Sequence, residues 1–217
     1  MIDSALILAV DTTSESGSVA VRRAGVTVAE VHLHSTDGFG HLIIQAIEEA
    51  LAKAGVRLGD IDCFAAASGP GSFTGVRVAL SAVKGLAEAL RKPAAGISNL
   101  RALSLFGSAA LRAVVLDARR GQVYAAVYDA QARIVMAETV ANWEEWRKTV
   151  PAGVEFVGLE NGPLKMAGVA FTAARQWLAA VVAECAEMDG RAGWSDPVGM
   201  DANYVRRSDA ELYWKDS

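Results

Sequence analysis

The ten residues Ser68-Gly69-Pro70-Gly71-Ser72-Phe73-Thr74-Gly75-Val76-Arg77 decide how this chain is read. An apolar run, residues 61–67, leads into them, and a long helical pattern, residues 73–91, leads away. A strand is therefore delivered through a glycine-rich turn onto a helix N-terminus. Free backbone N–H groups at such a place can hold an anion or a partner's backbone, and glycine admits an approach that a Cβ blocks. The spacing fits neither standard nucleotide loop: the third glycine falls one residue late for G-x-G-x-x-G, and no Gly-Lys-Ser/Thr closes it. On spacing alone, a structural junction and a ligand cradle are equally good readings.

Upstream of the turn the sequence reads as three strands, residues 5–10, 17–23 and 26–34, and a helix, 41–54, closed by Gly55. Downstream, Pro93 stops the helix at 73–91, a short strand follows at 94–97, and Ser98 is placed to cap a helix at 99–106. The pattern then begins again. Residues 113–116, 122–128 and 133–139 read as strands, 142–148 as a short helix, 154–157 as a strand and 171–188 as a long helix. Leu8-Ala9-Val10-Asp11 and Val114-Val115-Leu116-Asp117 each precede a polar turn with one glycine, an alternating strand and a hairpin partner. A repeated three-strand opening marks internal duplication. It predicts an α/β protein of two lobes, residues 1–106 and 107–217, each a mixed sheet flanked by helices. The second copy is degenerate, with no Gly-Pro-Gly turn before its last helix.

The 217 residues carry 21 Lys and Arg against 25 Asp and Glu, a formal net charge of −4, and 52% are hydrophobic. That balance lacks the basic excess of a protein that grips nucleic acid unaided. No apolar run reaches membrane-spanning length, and no basic segment precedes the short apolar stretch at the start, so no membrane role is expected. Cys63 and Cys185 lie far apart without a Cys-x-x-Cys neighbour, the pattern of buried thiols in a reducing cytoplasm.

Four blocks in order resemble the TsaB (YeaZ) family, and the resemblance runs over nearly the whole chain. They are Leu8-Ala9-Val10-Asp11-Thr12-Thr13, the stretch from Ser68 to Arg77, Asp117-Ala118-Arg119-Arg120-Gly121-Gln122-Val123-Tyr124, and Tyr204-Val205-Arg206-Arg207. The duplicated order is similar to the actin/hexokinase (ribonuclease H-like) ATPase fold. The resemblance implies a non-catalytic accessory subunit of bacterial tRNA threonylcarbamoyladenosine synthesis. Such a subunit binds and activates a TsaD-like enzyme, which transfers threonylcarbamoyl to adenosine 37 of tRNA. Also implied are a homodimer when the chain is alone, a TsaE-like ATPase in the wider complex, and indirect contact with tRNA. ATP and a metal ion would belong to the partner subunits, with no cofactor on this chain.

TsaD-like enzymes hold a metal with two histidines one helical turn apart, just after the short strand that follows the Gly-rich helix. At the matching stretch this chain has Asn99 and Leu103, and a leucine side chain cannot ligate a metal. Asp11 stands where nucleotide-binding members keep an acidic residue near the phosphates. Thr12 and Thr13 follow it in place of Gly-Ser/Thr, and their Cβ atoms crowd a phosphate. Asp11, Thr12 and Thr13 are thus weak cofactor-binding candidates, and Asp11 is read as a turn cap. His32 and His34 alternate on a strand and His41 opens a helix, with no Cys or paired carboxylate nearby to complete a metal site. Two enzyme readings compete with the scaffold. Thr12 and the degenerate second lobe argue against an ATPase or sugar-kinase-like enzyme. A peptidase needs a base beside Ser68, Ser72 or Cys63, and no histidine lies close to them in sequence.

On residues 73–91 the polar side chains Arg77, Ser81, Lys84, Glu88 and Arg91 fall in a wedge roughly 80° wide. The remainder is apolar, more than the arc of about 100° that a surface helix needs. Residues 41–54 are similarly broad. The two helices either bury one another inside the first lobe or offer Leu42, Ile43, Ile47, Val76, Leu80, Val83 and Leu86 to a partner. The resemblance favours the partner. Arg77 suits a partner carboxylate and a solvated place in the wedge equally, and Arg119 and Arg120 suit local ion pairs. Arg206 and Arg207 are thin support for a tRNA contact, and Trp143 and Trp146 are spaced to cover the second lobe's core.

Overall fold

A computed structural model of the chain describes residues 5–205, so Arg206 and Arg207 lie outside the described residues. Its first sheet contains β1 (Leu6–Asp11), β2 (Ser16–Arg23), β3 (Val26–His34), β4 (Cys63–Gly69) and β5 (Ala94–Ser98), in the order β3-β2-β1-β4-β5. β1, β2 and β3 pair antiparallel, while β4 and β5 add in parallel on the other side of β1. The strand positions follow from side-chain pattern. β1 and β4 are apolar without alternation and buried on both faces, as central strands must be. β3 alternates and takes the edge.

Helices α1 (Ile43–Ala54) and α2 (Phe73–Leu90) cover one face of this sheet, α1 over β2 and β3 and α2 over β1 and β4. Gly55 ends α1 in the left-handed region (φ 65°), where its N–H reaches the carbonyls of Leu51 and Ala52. After α3 (Asn99–Ser104) come β6 (Leu111–Asp117), β7 (Gln122–Asp129), β8 (Ile134–Asn142), α4 (Trp143–Trp146), β9 (Glu155–Leu159), α5 (Pro163–Met166), β10 (Thr172–Ala174) and α6 (Ala179–Asp189). The second sheet has the order β10-β9-β6-β7-β8, which repeats the first sheet strand for strand and in the same directions. The duplication expected from the sequence is present. The helix expected over 171–188 is corrected: Thr172–Ala174 pairs with β9 as a fifth strand, and the helix occupies Ala179–Asp189. Three residues of Thr and Ala carry no strand signature, so tertiary pairing decides their state.

The lobes share a core. α6 packs on β1, β2 and β4 of the first sheet, while α3 packs on β6 and β7 of the second. Between the sheets lie Ala9, Ala20, Ala65, Ala67, Ala95, Ala102, Ala126, Ala179 and Ala183 with Leu100, Leu103 and Val182. Small side chains let helix and sheet approach closely at native density. Ion pairs seat α6 across the boundary: Arg101 of α3 is bidentate to Asp189 of α6 at 2.6 Å, and Arg22 of β2 meets Glu187 of α6 through Nε at 2.6 Å. Trp143 and Trp146 cover the outer face of the second sheet beside Phe156 and Leu164. Downstream of α6 the chain returns to the first sheet, where Ser195 bridges Ala94 and Met200 is buried in the core under α2. No helix among the described residues is long and apolar enough to cross a membrane.

The helix faces also require a correction. Ile43, Ile47, Val76, Leu80 and Val83 are buried in the first lobe's own core, facing Leu8, Val10, Val19 and Phe64. They are not available to a partner, because the sheet covers them. Leu42 and Leu86 remain half-buried, and on α1 the exposed apolar residue is Ile44.

Candidate functional site

The glycine-rich turn, the turn after β1 and the start of α3 meet at the C-terminal ends of β1, β4 and β5. Asp11 is fully buried, and its Oδ1 accepts hydrogen bonds from the N–H (2.9 Å) and hydroxyl (2.6 Å) of Thr13. Burial pushes its pKa up, against the pull of the Thr13 bonds and of the nearby Leu178 N–H. Oδ2 has no partner in normal hydrogen-bond geometry among the described residues. Asp11 therefore caps its own turn and faces the entry to α6, where Ala179 N–H donates to Ser18 Oγ at 3.0 Å.

Thr12 and Thr13 are pressed onto the N-terminus of α2. Thr12 Oγ1 donates to the Gly75 carbonyl and Ser72 N–H donates to the Thr13 carbonyl, each at 2.7 Å. Ser72 Oγ accepts from Gly75 N–H at 3.3 Å and so caps the helix. A Cβ on Gly75 would stand 1.9 Å from Thr12 O, and one on Gly71 would stand 2.6 Å from Thr13 O. Those two glycines exist for this contact. The chain's own backbone takes the approach that a phosphate would need, and the residues present do not fit a nucleotide phosphate at this turn.

Asn99 locks the three segments together. Its Nδ2 donates to Thr13 Oγ1 at 2.5 Å, and its Oδ1 accepts from Gly69 N–H at 3.0 Å. Leu103, one turn further, is buried in the shared core. An amide with both ends bonded and a leucine do not fit a metal. Among the described residues no group of three His, Cys, Asp or Glu is placed to hold one.

Two further residues extend the junction, and sequence reasoning missed both. Asn203 N–H donates to Ser68 O at 2.8 Å, and its Nδ2 donates to Glu138 Oε2 at 2.6 Å. Glu138, on the edge strand β8, also accepts from the Ser98 hydroxyl and from Tyr128 Oη (2.5 Å). Burial first, and then the Glu138 carboxylate, raise the Tyr128 pKa. The available signal was Glu138 itself, the one charge in the strand Ile134–Asn142.

The remaining candidates separate. Arg77 Nε donates to Tyr204 Oη at 3.2 Å, and its guanidinium lies 3.7 Å from the centre of the Phe73 ring. Thr74 is exposed beside them, while Pro70 is buried. Arg119 pairs with Asp117 at 3.6 Å. His32 stacks on Trp177 (4.2 Å between centroids), and His34 and His41 are exposed. Cys63 is buried, which pushes its thiol up to about 12, and Ser72 is engaged as a helix cap. No serine or cysteine hydrogen-bonds a histidine among the described residues. In the second lobe a cavity of about 320 Å³ opens at the ends of β6, β9 and β10, lined by Asp117, Asn161, Arg175 and Trp177 among others.

Two copies of one five-stranded sheet with helices on both faces define a two-lobed α/β protein of the actin/hexokinase (ribonuclease H-like) type. A family model described as TsaD, tRNA N6-adenosine threonylcarbamoyltransferase, matches residues 35–187. The chain is 27% identical over 225 residues to the tRNA threonylcarbamoyladenosine biosynthesis protein TsaB of Bacillus subtilis, covering 97% of this chain and 98% of that one. To the protein of the same name from Escherichia coli it is 36% identical over 126 residues, covering 56% and 54%. It superposes on YeaZ from Pseudomonas aeruginosa with a TM-score of 0.80 at 27% identity, covering 92% of this chain and 99% of that chain. The chain belongs to the TsaD family, in its TsaB (YeaZ) branch.

Proposed function

We propose that the chain is a non-catalytic accessory subunit of tRNA threonylcarbamoyladenosine synthesis in the cytoplasm, binding and activating a TsaD-like catalytic subunit. The observation that carries this reading is the Asn99 bridge. Where the catalytic relative would hold a metal, this chain spends an amide on tying Thr13 to Gly69. The docked Thr12–Gly75 contact supports it in the same way, because the chain's own backbone takes the close approach that a phosphate would need. ATP and metal then go with the TsaD-like and TsaE-like subunits.

The surface left for the partner is a flank of α2. Val78, Ala82 and Leu86, four apart, are half-buried, with Gly85 and Ala89 exposed beside them. Leu42 and Ile44 supply the apolar exposure of α1. An interface of standard size buries roughly 1,600 Å² in total, and the same flank would pair two copies when the TsaD-like subunit is missing. Capture of the tagged chain from its own cells, with nucleoside analysis of tRNA after depletion, tests the role. A TsaD-like protein should co-purify and threonylcarbamoyladenosine should fall; an unchanged nucleoside level after depletion would sink the reading.

A further inference from the structure

We infer that the exposed Phe73–Arg77–Tyr204 cluster, with the cationic stripe of α2 that runs from it, is a docking surface for single-stranded RNA. The subunit then touches the tRNA substrate directly, in place of the indirect contact implied by the resemblance; the inference rests on the function proposed above. Two sequence blocks 127 residues apart build the cluster. The returning C-terminal segment is anchored by buried Met200 and by the Asn203–Ser68 bond, which carries Tyr204 to the start of α2. There the fold leaves Phe73 54% and Tyr204 52% exposed, with ring centroids 5.9 Å apart. Aromatic rings held at the surface rather than buried mark a site of contact.

The chemistry fits unpaired nucleotides. Arg77 uses Nε on Tyr204, its guanidinium carbon lies 3.7 Å from the centre of the Phe73 ring, and the residue as a whole is exposed. Unpaired bases stack on aromatic rings and guanidinium planes, each contact contributing about 1–3 kcal/mol. Along the polar wedge of α2, Arg77, Lys84 and Arg91 recur every seven residues. At 1.5 Å per residue they form a track about 20 Å long. None of the three pairs with a carboxylate among the described residues, and Lys84 reaches only the Val198 carbonyl, at 3.4 Å. Glu88 is the one acid in the wedge. In a chain of net charge −4, positive charge is thus gathered beside the exposed rings, as phosphate contacts require. A protein partner would seek apolar surface, which lies roughly 140° away around the helix at Val78, Ala82 and Leu86.

The test is fluorescence anisotropy with a labelled, unmodified anticodon stem-loop RNA, titrated with the purified chain and with its complex with the TsaD-like subunit, at low and high salt. The wild-type chain should bind in a salt-sensitive way and raise the affinity of the complex. A Phe73→Leu/Tyr204→Leu double variant should weaken binding by tenfold or more, and Arg77→Lys, which keeps the charge but loses the plane, by severalfold. Both variants should still associate with the TsaD-like subunit and melt close to the wild type. The inference is overturned if the wild-type chain shows no RNA binding and adds nothing to the complex. Equal RNA binding by the variants overturns it too, as does loss of the TsaD-like subunit with RNA binding intact, which would make the face a protein contact. Failure of the wild-type chain to associate with the TsaD-like subunit would instead remove the proposed function, while the titration of the chain alone still reports on the RNA surface.

Discussion

Replacing Gly75 by alanine should destabilise the protein even though alanine is the better helix former. The new Cβ would stand 1.9 Å from Thr12 O and 2.9 Å from Thr12 C, so the turn must retreat by about 1.5 Å to reach an ordinary contact. That retreat breaks the Thr12 Oγ1–Gly75 O and Ser72 N–Thr13 O bonds, both 2.7 Å. Two such bonds contribute about 1 kcal/mol each, and a buried group left without a partner costs about 1–3 kcal/mol more. Helix propensity returns only about 1 kcal/mol. The net loss is about 3 kcal/mol, which for a chain of this size lowers Tm by about 6–12 °C. Gly85 is the matched control: it lies on the same helix, is exposed, and a Cβ there meets nothing within 4 Å. Gly85→Ala should raise Tm by a few degrees, up to about 4 °C. Thermal unfolding of the two purified variants, followed by circular dichroism, decides the matter. If Gly75→Ala melts at or above the wild type, the docking of the turn onto α2 is refuted.

Asn99→Ala removes both bridges of the buried amide and should cost about 2–4 kcal/mol, read as a lower urea midpoint at unchanged slope. Val83→Glu places a carboxylate in the core and should leave little folded protein, whereas Leu86→Glu, half-buried on the α2 flank, should fold normally. Leu86→Glu should nonetheless weaken association with the TsaD-like subunit by about tenfold or more in a pull-down titration. Asp11 has its pKa raised by burial, so its ionised form opposes folding at neutral pH and the folded chain takes up the proton first as pH falls. The stability of wild type relative to Asp11→Asn should therefore increase as pH falls toward the ordinary carboxylate range, measured by urea unfolding at each pH.

The parts of the fold visible in the sequence are those written in local pattern. The unbroken run Leu6-Ile7-Leu8-Ala9-Val10 identifies a central strand, and its echo before Asp117 reveals the second sheet. The glycines at 71 and 75 mark a close approach, yet nothing local says that the approaching group is the chain's own Thr12–Thr13 backbone. The bonds of Asn99, Asn203 and Glu138 are not legible for the same reason: they run across tens of residues, and only topology brings the partners together. β10 was hidden by brevity. A broad apolar arc does not say which part the sheet claims: of the seven candidates, five are taken into the core, and Leu42 and Leu86 stay half-buried. Ile43, Ile47 and Val83 sit at its centre, and the flank at Val78, Ala82 and Leu86, with Leu42 at the start of α1, is left half-buried.

The central claim, that this chain enables a reaction performed elsewhere, is tested most directly by reconstitution. Threonylcarbamoyl adenylate and unmodified tRNA are incubated with the chain alone, the TsaD-like subunit alone, or both, and the modified nucleoside is quantified by mass spectrometry. The account predicts modification that depends on both proteins and none from the chain alone. Modification by the chain alone, or undiminished modification without it, would contradict the account.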